Sequence, residues 1–226
     1  MTHAAVLPDD ASPDDLPPER HEARLDAEAP AAARKRPKPG ERRVQILQAL
    51  AAMLEQPGFD RVTTASLARH VEVSEAALYR HFASKAQMFE ALIEFIEQSL
   101  FTLAHQIIER EAEPTVQIGK LMAMALQFGE KNPGMARVMA GDALVLEHDR
   151  LGARVNQAFD RLESLLRQSY KALAEQRGSS TPTVDAQAGA SLAVSVLLGR
   201  FQRYARTGFK RLPTEHLDAT LRQLLA

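Results

Sequence analysis

The sequence predicts an all-α chain, with a small helix-turn-helix domain followed by a larger helical regulatory and dimerisation domain. Three observations carry this. No stretch alternates polar and apolar residues with period two, so no strand is expected. Apolar residues instead recur three and four apart through most of the chain beyond residue 40. Between Thr63 and Phe89, in TTASLARHVEVSEAALYRHFASKAQMF, two short helical segments lie a few residues apart. Each is opened by a hydroxyl residue suited to capping.

In chain order, residues 1–33 hold eight acidic residues against Arg20 and Arg24, with five prolines. Such a segment buries too little apolar surface to offset its chain entropy, and is expected to be disordered. The overall charge of −1 hides this asymmetry, because Arg34-Lys35-Arg36-Pro37-Lys38 follows, joined by Arg42 and Arg43. That basic run reads either as an arm lying on phosphates or as a solvated linker. The expected domains are an extension over 1–40, the helix-turn-helix domain over 41–90, and the regulatory domain over 91–226.

A first helix over Glu41–Gln56 places Ile46, Leu47, Leu50, Met53 and Leu54 on one stripe. Pro57-Gly58 ends it, and Phe59 and Val62 are expected to close over the helix-turn-helix. Thr63 or Thr64 caps the next helix, and Ser74 caps the one after. Ser84 opens a third, with Gln87 at capping-box spacing. That helix runs to about Glu111, its stripe including Met88, Phe89, Leu92, Phe95, Ile96, Leu100 and Leu103. A helix over Pro114–Lys131 follows, broken by Asn132-Pro133-Gly134, and then a short one over Met135–Ala140. Glu147–Gln176 is a long amphipathic helix, and 177–185 reads as a loop. The Ala186–Thr207 helix is apolar on most faces, which predicts burial on most faces. A homodimer interface with Glu147–Gln176 satisfies this, with Leu197 in the contact. A last amphipathic helix follows Pro213.

Several chemistries are excluded or unsupported. With no cysteine, there is no disulfide, thiolate metal site or Cys nucleophile. The seven histidines are scattered. Glu147-His148-Asp149 groups three potential metal ligands, but adjacent side chains diverge on a helix, and a solvated helix start is the better reading. The glycines form no phosphate-cradling loop. The chain is therefore read as a non-enzyme without cofactor or metal. No apolar run is long enough to cross a bilayer, and no basic-then-apolar leader opens the chain, so a cytoplasmic location is expected.

The LYRHF run with its Ser-Lys cap resembles the DNA-binding domain of the TetR family of bacterial regulators, over about residues 41–90. The resemblance implies that Ser74–His81 enters the major groove. It also implies that Thr63, Thr64, Ser74, Glu75, Ala76, Ala77, Tyr79, Arg80, His81 and Lys85 meet phosphates or base edges, in a homodimer on palindromic double-stranded DNA. Small and hydroxyl residues on a short second helix suit that role. SEAALYRHFASKAQMFEALIEFIEQSLF and the later LQFGEKNPGMARVMAGDALVLEHDRLGARVNQAFDRLE further resemble the nucleoid occlusion factors of that family. This implies a nucleoid-associated protein that, once on DNA, holds the tubulin-like FtsZ and prevents septum assembly. Phe95, Lys131 and Asn132 match the partner-binding pattern, with Lys in place of Arg at 131. Core packing is the competing reading for Phe95, and helix-dipole compensation for Lys131. Two features depart from the pattern: Glu72 stands in the turn where Gly is usual, and the acidic extension precedes the domain. The alternative function is a ligand-responsive repressor, for which the Met and Leu stripe over 117–128 would line a cavity. A closed regulatory core and a ligand-sized cavity separate the two readings.

Overall fold

The computed structural model describes residues 40–56 and 61–225. The expectations for residues 1–39, for the Pro57-Gly58 helix end and for Phe59 lie outside them. The described helices are α1 Glu41–Leu54, α2 Thr64–His70, α3 Glu75–Tyr79, α4 Lys85–Arg110, α5 Pro114–Lys131, α6 Pro133–Met139, α7 Asp149–Gln176, α8 Pro182–Arg206 and α9 Leu217–Leu224. A single 3-10 turn, Asp142–Leu144, lies between α6 and α7, and no strand occurs among the described residues.

Two helices begin earlier than expected, and one cap differs in detail, each for a local reason. Pro133-Gly134 belongs to α6 rather than separating it from α5. Proline is acceptable at a first helical position, where its missing N–H has no partner to lose. The same holds at Pro182, so α8 begins inside the stretch expected to be loop. Ser84 does cap α4 by accepting from the Gln87 N–H, but the Gln87 side chain reaches back to the Ala83 N–H, one residue earlier than a capping box requires.

One apolar cluster runs from Ile46 and Leu50 in α1, through Phe82 and Phe89, to Leu166 and Phe201 in the regulatory helices. The helix-turn-helix is therefore seated on the regulatory half through continuous core. Contact between α6 and α1 is backbone-close. A Cβ added at Gly134 would lie 2.0 Å from the Ala51 carbonyl oxygen, so only glycine fits there. α7 and α8 form the most extensively packed pair. Gly189 lets them approach, since a Cβ there would fall 2.7 Å from the Tyr170 ring.

The expected interface position Leu197 is 0% exposed within the single chain and belongs to the α7–α8 core. α8 does present an apolar face outward, but it consists of Val184, Leu192 and Leu198. The α4 stripe also divides. Met88, Phe89, Leu92, Ile96 and Leu100 are buried, while Phe95 (47% exposed) and Leu103 face outward.

Candidate nucleic-acid and partner surfaces

α2 and α3 are fixed by short-range hydrogen bonds. Thr63 is the α2 cap: its hydroxyl accepts from the Ser66 N–H at 3.1 Å, and the Ser66 hydroxyl accepts from the Thr63 N–H at 3.1 Å. Thr64 sits one residue inside the helix, and its hydroxyl donates to Glu75 Oε2 at 2.7 Å, tying the starts of α2 and α3 together. Ser74 caps α3 by accepting from the Ala77 N–H at 3.2 Å.

α3 has five residues and is anchored by Leu78, with Phe82 just beyond it, both buried. The opposite side presents Ser74, Glu75, Ala76, Tyr79 and Arg80 to solvent, with Ala77 and His81 half-buried at its margins. Small groups at 76 and 77 let a duplex edge come close, and the hydroxyl and cationic groups around them suit phosphates and base edges. Arg43 of α1 donates to the His81 carbonyl oxygen and lies 4.1 Å over the Phe82 ring, so α1 holds the far end of this element.

Glu72 occupies the left-handed position of the α2–α3 turn, at φ 54°. The Val73 N–H donates to the Ala68 carbonyl and the Glu72 N–H to that of Arg69, the paired bonds of a Schellman ending. The turn thus keeps the geometry that glycine would adopt without steric cost.

Lys85 is engaged within the chain. Its ammonium pairs with Glu147, just before α7, where the two side chains are 18% and 9% exposed, and it lies 5.7 Å from the centroid of the Phe89 ring. The residues separating this pair in sequence gave no sign of it. Arg137 of α6 was also missed: buried, it donates to the Gln56 carbonyl at 3.2 Å and stacks 4.7 Å over Phe209. Burial lowers its pKa from the ordinary arginine value, and the Asp142 carboxylate partly offsets this. Neither tie leaves a local pattern, because each depends on helices brought together by the fold.

Of the partner-pattern residues, Phe95 is outward on α4 rather than packed in the core. Lys131 is exposed as the last residue of α5. Asn132 is half-buried, and its amide donates to the Phe128 carbonyl at 2.7 Å and finishes the helix. Contacts among α4, α5 and α6 put these positions on adjoining elements.

The centre of the regulatory helices is nearly filled. The cavity among α4, α5, α6, α7 and α8 measures about 30 Å³ and is lined by side chains such as Ile96, Leu100, Met124, Phe159 and Phe201. One charged group, Glu97, borders it, and its carboxylate takes Arg154 at 2.9 Å. No described helix is long and apolar enough to cross a membrane.

Comparison with known proteins agrees with this geometry. Residues 46–92 match the family described as bacterial regulatory proteins, tetR family, and residues 112–226 match a tetracyclin repressor-like C-terminal domain of SlmA-like type. A protein of Idiomarina loihiensis named nucleoid occlusion factor SlmA is 48% identical over 180 residues, covering 79% of this chain and 90% of that protein. The protein of the same name from Vibrio cholerae is 47% identical over 178 residues, covering 78% and 90%. Among solved structures, the fatty acid degradation regulator FadR of Bacillus halodurans superposes with a TM-score of 0.69 at 15% identity, covering 84% of this chain and 97% of that one. AibR, solved with isovaleryl coenzyme A and operator DNA, gives 0.64 at 16%, covering 81% and 98%. At such identities these structures establish the fold alone. Family matches at both ends of the described chain, with relatives close to half identical across most of it, place this protein in the tetR family of bacterial regulatory proteins, among its SlmA nucleoid occlusion factors.

Proposed function

We propose that this protein is a sequence-specific DNA-binding nucleoid occlusion factor. On this reading a homodimer sits on palindromic chromosomal sites and, once bound, holds FtsZ and prevents septum formation over the nucleoid. Ser74–His81 reads the major groove, with Thr63, Thr64, Tyr79 and Arg80 steadying phosphates. The outward α8 face of Val184, Leu192 and Leu198 joins the two copies. Two-fold symmetry then sets the spacing of the half-sites. FtsZ docks on the regulatory half, near Phe95 and Lys131, which leaves the reading helix free for DNA. Asn132 serves that surface by ending α5 rather than by offering its amide to the partner.

The nearly filled centre of the regulatory helices favours this reading over a ligand-responsive repressor, and the groove of about 330 Å³ beside α4 and α7, lined by Phe101, His105, Asp160 and Arg161, is an open surface rather than an enclosed site. Small-molecule sites are typically about 300–1,000 Å³ with a few converging polar groups. The roughly 30 Å³ apolar space here lacks both properties. The test is a Lys131→Glu, Asn132→Ala double variant, assayed for operator binding and for FtsZ retention on operator DNA. Normal DNA binding with lost retention is the expected result. A wild-type protein that binds DNA but retains no FtsZ at any concentration returns the function to an ordinary repressor.

A further inference from the structure

Glu75 brings a carboxylate to the face proposed to read DNA. It is the first residue of α3, is exposed, and makes no ion pair among the described residues. One oxygen, Oε2, accepts the Thr64 hydroxyl at 2.7 Å, and the other, Oε1, meets no donor among the described residues. The charged groups around it do not neutralise it. Glu72, in the turn just before, is a second carboxylate. Arg69 and His70 stand at the opposite end of α2 from Thr64. Exposed Arg80 is five residues on, roughly 140° around a helix of 3.6 residues per turn, and serves the other flank of the face. Arg61, three residues before Thr64, is exposed and does not pair with it either.

An ionised carboxylate offers acceptors only. It repels a phosphate, so on a duplex its favourable partners are the donors on base edges. In the major groove these are the N4 amine of cytosine and the N6 amine of adenine. The adenine amine lies beside the N7 acceptor, whose lone pair opposes a carboxylate. The cytosine amine lies beside a C–H, which does not. The first residues of a reading helix are the ones that reach base edges, and the small side chains of Ala76 and Ala77 allow the approach. The Thr64 bond holds the carboxylate in one orientation beforehand, so less freedom is lost on binding.

We propose that Glu75 reads a cytosine in each half-site, its Oε1 accepting from the N4 amine, with Thr64 as the positioning residue that holds Oε2. This rests on the DNA-reading function proposed above and gives that function a base and a direction of hydrogen bonding. The dipole of α3 also eases a carboxylate in its first turn, and the Thr64 bond also ties α2 to α3. Both of these act alike on every DNA sequence. A change confined to one base position therefore separates reading from scaffolding.

The experiment selects duplexes from a randomised library with the full-length protein, then titrates the selected site with single base pairs exchanged. The wild type is expected to prefer cytosine over thymine by about tenfold at one position of each half-site. Cytosine N4 and thymine O4 occupy the same place in the groove, a donor in one and an acceptor in the other. Glu75→Gln keeps an oxygen for Thr64 and turns an amide N–H outward, so the preference at that position should move from cytosine to thymine. Glu75→Ala should erase it. Thr64→Val should weaken the same preference, and Thr64→Ser should restore it. A selected site whose base preferences are unchanged in Glu75→Gln and Glu75→Ala overturns the inference and leaves DNA reading in place. Affinity lost evenly over all sequences would make Glu75 a tie between α2 and α3 and overturn it also. If the wild type enriches no sequence, the DNA-reading function falls and the inference with it.

Discussion

The two ends of α1 use their polar groups in opposite ways. At the reading end several groups suited to DNA already have a partner inside the chain, Thr63 with Ser66, Thr64 with Glu75, Arg43 with the His81 carbonyl and Lys85 with Glu147, while Tyr79 and Arg80 stand exposed. At the far end Lys131, Arg203, Arg206 and Lys210 are exposed and make no ion pair among the described residues. The reading end is arranged before DNA arrives, so little ordering entropy is left to lose on binding. An exchange of partners remains, chiefly at Lys85. The exposed cations of the far end are screened by salt more strongly than the half-buried Lys85–Glu147 pair.

The largest expected effect lies in the scaffold on which both ends are mounted. Leu197→Glu puts a carboxylate at a fully buried site without a partner and is expected to cost more than about 4 kcal/mol, lowering the folded fraction itself. Leu198→Glu, one residue on and 39% exposed, is expected to keep the helical content of the wild type but to sediment as a monomer. Operator affinity should fall with it, since each half-site is then held alone. Circular dichroism melts and sedimentation velocity distinguish the two. If the Leu198 variant remains dimeric at micromolar concentration, the interface lies elsewhere.

Next in size is the joint between the ends. Gly134→Ala drives a methyl group into the Ala51 carbonyl, and backbone cannot yield as a side-chain tip can. A loss of about 2–3 kcal/mol in urea unfolding is expected, together with weaker operator binding as α6 moves away from α1. Full operator affinity in a destabilised variant would show that the two ends tolerate independent placement.

These cases also mark how far the chain could be read without its fold. Caps at Ser74 and Ser84, and at one of Thr63 and Thr64, were legible because capping is local chemistry over three residues. The helical class followed from periodicity, and the run around Tyr79 carried the family. Leu197 and Leu198 were not separable, because a helix apolar around most of its circumference has no phase to read. Pro182 within a Gly, Ser and Thr stretch looked like loop, although a proline also opens helices. Lys85 was placed correctly at a helix start, yet its partner Glu147 lies 62 residues away and is brought there only by tertiary packing.

That pair yields a smaller prediction aimed at the contrast directly. If Lys85 must leave Glu147 to reach a phosphate, Glu147→Gln should strengthen DNA binding by about 1 kcal/mol, near fivefold. Lys85→Ala should weaken binding to all sequences alike and reduce the slope of log K against log salt by about one. Titrations of operator and random duplex over a salt series measure both. An unchanged slope for Lys85→Ala removes it from the phosphate contacts and leaves it as a structural tie.

The smallest effect concerns the turn itself. A non-glycine residue in the left-handed region costs about 1–2 kcal/mol, and Glu72 is held there by the Schellman bonds of α2. Glu72→Gly relieves that cost but loosens the unfolded chain, which takes back about 0.4–1 kcal/mol. The backbone terms net to a stabilisation of about 0.5–1 kcal/mol, or a rise in Tm of about 1–4 °C for a chain of this size, from which the interaction that the glutamate side chain makes is to be subtracted. The reading helix should keep its position, since Leu78 and Phe82 anchor it from the other side. Scanning calorimetry with operator titration checks both statements. A glycine variant less stable than the wild type would mean that the glutamate side chain makes interactions worth more than the strain of its backbone, and that the turn at the reading end is organised by that side chain as well as by the helix ending.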